Sequence, residues 1–163
     1  MLYRKFFEEK KFSIIFLLFI LTRYFFHVIS GYDHYQLQPD SYWYSEQSDE
    51  VLKGNFNLER LLFITAPFFS YFQAIVKFIG GGYWEEILFI LQLLISSISG
   101  VYFYRLSILI FKNQNIGLLS TVMFCFYPFT LWWAGTFTQD IWFQSFLIIF
   151  LFFFILFLQS QKK

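Results

Sequence analysis

The sequence predicts an all-α integral membrane protein of about four transmembrane helices, with a long external loop that carries short interfacial helices. Three observations predict it. Of the 163 residues, 58% are hydrophobic and 26% aromatic, which is more apolar surface than a soluble domain can hide. Several apolar runs approach the ~20 residues needed to cross a hydrocarbon core about 30 Å thick. Charged residues are only 14% of the chain, and they cluster between those runs.

Met1 to Lys11 sets Arg4, Lys5, Lys10 and Lys11 against Glu8 and Glu9, and the first apolar segment, 12–30, follows at once. No small-residue cleavage site follows it; Arg23-Tyr24-Phe25-Phe26-His27 stands there instead, so the segment is expected to stay as the first span. Arg23 lies roughly 10 Å along the helix from Gly31. Its guanidinium either snorkels outward or turns into the bundle to meet a carboxylate or lipid phosphate.

Residues 31–84 form the external loop. Ser41 to Lys53 reads as a short helix, with Pro39 before it and Gly54 after it. Pro67 to Ile79 reads as an interfacial helix ending in a flexible Gly80-Gly81-Gly82. The second span, 85–111, opens with Glu85 and Glu86 and carries Arg105 near its end, with Lys112 just beyond, as the helix dipole favours. After the polar turn Lys112 to Asn115, the third span, 116–134, is read as one helix with Pro128 in its last turns and Trp132-Trp133 at an interface. The fourth span, 140–158, begins at Asp140.

The basic residues sort the topology. The amino terminus, the Arg105 to Lys112 end and Lys162-Lys163 fall on one side of four crossings, so the amino terminus is expected in the cytoplasm of a multi-pass bacterial inner or plasma membrane protein. A net charge of +1 with no basic surface excludes nucleic acid as a partner. One cysteine, Cys125, permits no internal disulfide. There is no phosphate-cradling glycine loop, no H-E-x-x-H and no Cys/His metal spacing.

Two acids then reach the same membrane face, Asp40 after the first span and Asp140 at the start of the fourth. Each has a structural alternative as a helix cap. Paired, one carboxylate would accept a proton from an acceptor hydroxyl while the other holds a cation or steers the acceptor. Tyr42, Trp43 and Tyr44 could stack on a sugar or merely anchor the interface. Glu46, Asp49 and Glu50 read as a solvated face.

In order and spacing these features resemble the amino-terminal part of the GT-C membrane glycosyltransferases, especially the dolichyl-phosphate-mannose-protein mannosyltransferase-like group. Arg23 stands for that group's arginine late in the first helix, Asp40 with Tyr42 or Tyr44 for its loop aspartate and tyrosine, and Leu52-Lys53-Gly54 for its L-x-x-G. Pro67-Phe68-Phe69-Ser70-Tyr71 stands for a P-L-Y-P-like segment, and Pro128, Gly135 and Asp140 for the P…G-x-x-x-x-[DE] feature. Ser70 replaces the second proline, and Asp140 stands where Glu is common.

The resemblance implies inverting transfer of a sugar, mannose or another hexose, from a polyprenyl-phosphate donor to an external protein or glycolipid acceptor. Asp40 is the implied base and Asp140 the second acid, with Arg60 or Arg23, and less readily Lys77, on the donor phosphate. Tyr42 and Tyr44 are the implied sugar or acceptor contacts, and membrane lipid is a partner. Whether a divalent cation bridges the two acids varies within the group and stays open. Such enzymes run to several hundred residues with ten or more crossings, so 163 residues are expected to be the first part of a larger fold and inactive alone. The alternative is a non-catalytic four-helix scaffold or partner subunit; a small transporter fits less well, since polar residues within the spans are few.

Overall fold

The computed structural model describes residues 2–31, 39–57 and 67–161, with side chains described from Lys10 onward except Pro39. All regular structure in them is helical: α1 (Leu2–Ser30), α2 (Pro39–Leu52), α3 (Pro67–Gly80), a 3-10 turn (Gly81–Tyr83), α4 (Trp84–Phe111), α5 (Gln114–Cys125), α6 (Pro128–Gly135) and α7 (Asp140–Ser160). Three stretches are long and apolar enough to cross a membrane, Lys10–Ser30, Pro67–Phe111 and Asp140–Ser160; α5 and α6 make a fourth if their bent pair is one span. The all-α membrane fold read from the sequence is the one found.

Helix α4 is the hub, in backbone proximity to α1, α3, α5, α6 and α7. Small residues make this possible, because in lipid there is no water to drive helices together and close approach of backbones must do it. Gly100, Ser96, Ser97 and Ser99 are all buried, and a Cβ on Gly100 would stand 2.6 Å from the Phe19 ring of α1. Further along the same seam the His27 and Phe89 rings lie 4.2 Å apart, so α1 and α4 run antiparallel.

On α7 the exposed side chains Phe143, Phe146, Phe150, Phe153 and Phe157 recur at helical spacing. That purely apolar outer stripe suits hydrocarbon and not water. The stretch Pro67–Phe111 is 45 residues long, about 67 Å if helical throughout. Gly81 breaks that length at φ +52°, and Val76 of α3 joins Leu88 and Phe89 of α4 in one core cluster, so α3 and α4 are two packed helices and not one straight rod.

Two details differ from the sequence reading. The third span is not one helix, since α5 and α6 meet at 53°. Pro128 disfavours helical geometry in Tyr127, which is extended at φ −67°, ψ 121°, and then starts α6. The Phe124 carbonyl, which Pro128 has no N–H to serve, accepts from Thr130 Oγ1 at 3.2 Å, and the same hydroxyl lies 2.8 Å from the Tyr127 carbonyl. Nor are the three glycines a flexible spacer: Gly80 ends α3, and Gly81, at φ +52°, opens the ordered turn into α4.

Candidate functional site

Asp40 is the second residue of α2, whose first is Pro39, a residue suited to the first helical position. Its carboxylate is exposed and makes no hydrogen bond or ion pair among the described residues. Asp140 is the first residue of α7, half-buried; Gln139 occupies the cap position and makes no side-chain capping bond. Asp140 therefore acts on the helix start through its charge, where the dipole favours an anion.

The helices that carry the two acids are not in backbone contact. No Cα of α2 lies within 8 Å of α1, α4 or α7, so Asp40 and Asp140 sit on separate elements. Among the described residues no group of three His, Cys, Asp or Glu side chains is placed to hold a metal ion.

Only α3 receives α2, and polar side chains join them. Lys77 Nζ reaches Asp49 Oδ1 at 2.6 Å, Ser45 Oγ at 2.8 Å and the Ser45 carbonyl at 3.0 Å, and it lies 4.7 Å from the centre of the Trp84 ring. Ser70 Oγ donates to Gln47 Oε1. Ser70, at the place of the second proline, is thus part of the α2 attachment. Lys77 is committed to Asp49, which removes it as a phosphate ligand. Asp49 in turn is more than a solvated acid, whereas Glu50 meets only neighbours in its own turn, the exposed Lys53 at 2.8 Å and Asn55 Nδ2 at 3.3 Å.

Of the two tyrosines, Tyr42 is 57% exposed and Tyr44 only 3%. The Tyr44 ring packs edge-on to Phe69 with centroids 4.9 Å apart, so its face belongs to the core and not to a sugar. Leu52-Lys53-Gly54 is the end of α2: Gly54, at φ +90°, donates to the Val51 carbonyl at 3.0 Å, a conformation that favours glycine. Arg60 lies outside the described residues.

Arg23 turns into the bundle and is 1% exposed. Its guanidinium lies 4.3 Å from the Phe19 ring centre, and Nη1 reaches the Phe19 carbonyl only at 3.5 Å. Nε and Nη2 have no partner, and no carboxylate pairs with it among the described residues. One turn from the Phe19–Gly100 contact, Arg23 stands level with Ser96 of α4, whose Oγ is also buried and unpartnered.

At the start of α7 a groove of about 280 Å³ opens between α3 and α7, lined by Phe68, Phe72, Gln139, Trp142 and Phe143 among others; Asp140 does not line it. The Phe72 and Trp142 rings meet edge to face at 4.7 Å, and Trp142 Nε1 is buried without a partner. In α3 the amide of Gln73 is fully buried with neither atom satisfied. Sequence reasoning passed over Gln73 and Trp142. The signal was present in part: Ser70, Gln73 and Lys77 fall at i, i+3 and i+7, a polar stripe in an otherwise apolar helix.

The family model for dolichyl-phosphate-mannose-protein mannosyltransferase matches residues 65–163. That stretch holds α3 to α7, the groove and Asp140, while Arg23, Asp40, Tyr42, Tyr44 and Arg60 precede it. No curated protein and no solved structure matches the chain.

Proposed function

Since the chain belongs to the dolichyl-phosphate-mannose-protein mannosyltransferase family, we propose that it takes part in transferring a sugar from a polyprenyl-phosphate donor to an external protein or glycolipid acceptor. The observation that carries this reading is the apolar groove between α3 and the start of α7, inside the matched segment and with Gln139 as its polar lining residue, because a polyprenyl chain needs apolar walls and its sugar needs a polar end.

The step balances without a further reactant. A carboxylate takes the acceptor hydroxyl proton as the oxygen attacks the anomeric carbon. The new carbon–oxygen bond forms as the bond to phosphate breaks, and the polyprenyl phosphate leaves with the electron pair. Asp40 is assigned as the base because its carboxylate is exposed and uncommitted, with Tyr42 exposed nearby on the same helix. Asp140 steers the acceptor at the start of α7. Positive charge for the departing phosphate falls to Arg60 and Arg23, of which Arg23 supplies two free donor nitrogens in a site where water cannot compete.

The test uses membranes in which sugar transfer depends on this chain, with folded yield measured alongside turnover. Asp40→Asn keeps shape and helix-start hydrogen bonding but removes the proton acceptor, and should lower turnover roughly 10²- to 10⁴-fold. Glu46→Gln, the same change of charge on the same helix, should leave it near normal. Normal turnover in Asp40→Asn would remove Asp40 from the role of base.

A second reading rests on the lack of backbone contact between α2 and α7: the chain serves as a non-catalytic partner subunit. Under it, neither Asp40→Asn nor Asp140→Asn would alter turnover per folded molecule.

A further inference from the structure

At the opposite end of the bundle from Asp140 lies a second groove, of about 430 Å³, between the start of α1 and the ends of α4 and α7. From Asp140 to Leu156, which lines it, α7 rises about 24 Å, so the two grooves are separate. Among the described residues its cations are Lys11 and Arg105, and no acid lines it. Its walls include Phe12, Leu109, Phe152 and Leu156, the last two on the helix with the outward apolar stripe.

Arg105 is the informative residue. Its guanidinium lies 4.1 Å from the centre of the Phe12 ring and 6.0 Å from that of Tyr102, yet it makes no hydrogen bond or ion pair. It sits six residues before the last residue of α4, about 9 Å inside the helix end, where an unpaired cation is costly. Ring faces offset part of that cost, but they leave the five guanidinium N–H donors without acceptors. Lys11 Nζ is tied to Gln114 Oε1 at 3.0 Å, which holds a second cation at the rim and keeps two of its donors available.

We propose that this groove binds the phosphate of an anionic glycerophospholipid, with Arg105 and Lys11 on the headgroup and the acyl chains along Phe152 and Leu156. The occupant is a lipid and not free phosphate, because most of the lining is apolar and the groove opens beside a membrane-facing helix. Arginine presents paired donors that match phosphate oxygens, and basic pockets between membrane helices favour such headgroups. The site is independent of the sugar-transfer reading.

The experiment follows the thermal unfolding of the purified chain in a neutral maltoside detergent. Dioleoylphosphatidylglycerol, dioleoylphosphatidylcholine or inorganic phosphate is titrated in. Phosphatidylglycerol should raise Tm saturably, while phosphatidylcholine and inorganic phosphate should not. Arg105→Gln and Lys11→Gln should each weaken the phosphatidylglycerol effect about fivefold, as expected for about 1 kcal/mol per cation near the surface. Lys53→Gln, which removes an exposed cation on α2, should change nothing. Should Arg105→Gln fail to fold, Lys11→Gln carries the test, since Lys11 is exposed. Equal stabilisation by phosphatidylcholine, stabilisation by inorganic phosphate alone, or wild-type response in the Lys11→Gln chain would each overturn the proposal.

Discussion

The α2–α3 pair and the α1–α4 pair are both two-helix contacts, but they are held by different forces. Between α2 and α3 polar joints accompany the packing of Tyr44 on Phe69: Lys77 on Asp49 and Ser45, and Ser70 on Gln47. Between α1 and α4 the joint is shape, with the Phe19 ring lying where Gly100 has no side chain. The difference follows the surroundings. Where an element meets water, apolar burial is limited and polar pairs set the position of the helix. Where both helices face lipid, apolar surface gains little from being covered, and contact depends on how closely two backbones can approach.

The largest expected effect comes from filling the shape joint. Phe19 is fully buried, so the ring cannot yield to a side chain at position 100. Gly100→Leu should cost at or above the top of the range of about 1–3 kcal/mol usual for overpacking. Thermal unfolding in detergent should show it across the whole bundle, and an unchanged Tm would mean that the seam is looser than its geometry.

Next comes the polar joint. Lys77→Met removes the cation but leaves Asp49 with 52% of its side chain exposed, so water recovers much of the loss. The cost should be about 2 kcal/mol, below the ~3–5 kcal/mol of a fully buried pair. Amide exchange should quicken roughly thirtyfold in α2 while α4 and α7 are unaffected. Equal quickening in all helices would erase the distinction between the joints.

The smallest effect sharpens the comparison from the solvent side. Hydrogen bonds from Lys53 and Asn55, with the Lys53 charge, hold the Glu50 carboxyl below its ordinary range, and Glu50 holds the Lys53 ammonium above its own. The Glu50 contribution is present above the carboxylate's unfolded pKa, about 4, and is lost as pH falls through the lower folded value. The Lys53 contribution is present below about pH 10 and is lost as pH rises through the higher folded value. Exchange at the end of α2 should therefore be flat between those limits once corrected for its intrinsic pH dependence. Because both groups are solvated, Lys53→Gln should leave Tm unchanged.

The spans were legible because an apolar run bounded by charges has few other readings. The starts of the helices were legible too, but were only partly read. Pro39, Pro67 and Pro128 are each the first residue of a helix, the position where a missing N–H costs nothing. Applied to Pro128, that rule places a helix start inside the third span. Arg23 follows Ile15 and Phe19 at intervals of four, so its inward stripe could be read from spacing. What could not be read was long-range pairing. Lys77 finds Asp49 across 28 residues and Ser70 finds Gln47 across 23, and nothing local marks either partner. For the candidate site, both acids were visible at helix starts. Their placement relative to each other was not, because among the described residues it depends on α2 resting on α3.

The inward-facing Arg23 also bears on the order in which the protein is made. Its helix packs on α4 where Phe19 meets Gly100, and that glycine leaves the ribosome more than seventy residues later. At about 5–20 residues per second that is an interval of roughly 4–15 s. If helices enter the membrane in chain order, α1 must spend those seconds with its guanidinium facing lipid or the insertion channel. An arginine at the centre of a helix opposes insertion by about 2.5–3.5 kcal/mol, and each Leu, Ile, Phe or Val favours it by about 0.3–0.6 kcal/mol. The exposed Ile14, Leu17, Leu21, Phe25, Val28 and Ile29 bury little in the finished bundle. Their contribution is made earlier, by keeping a nascent helix in the bilayer until its partner arrives.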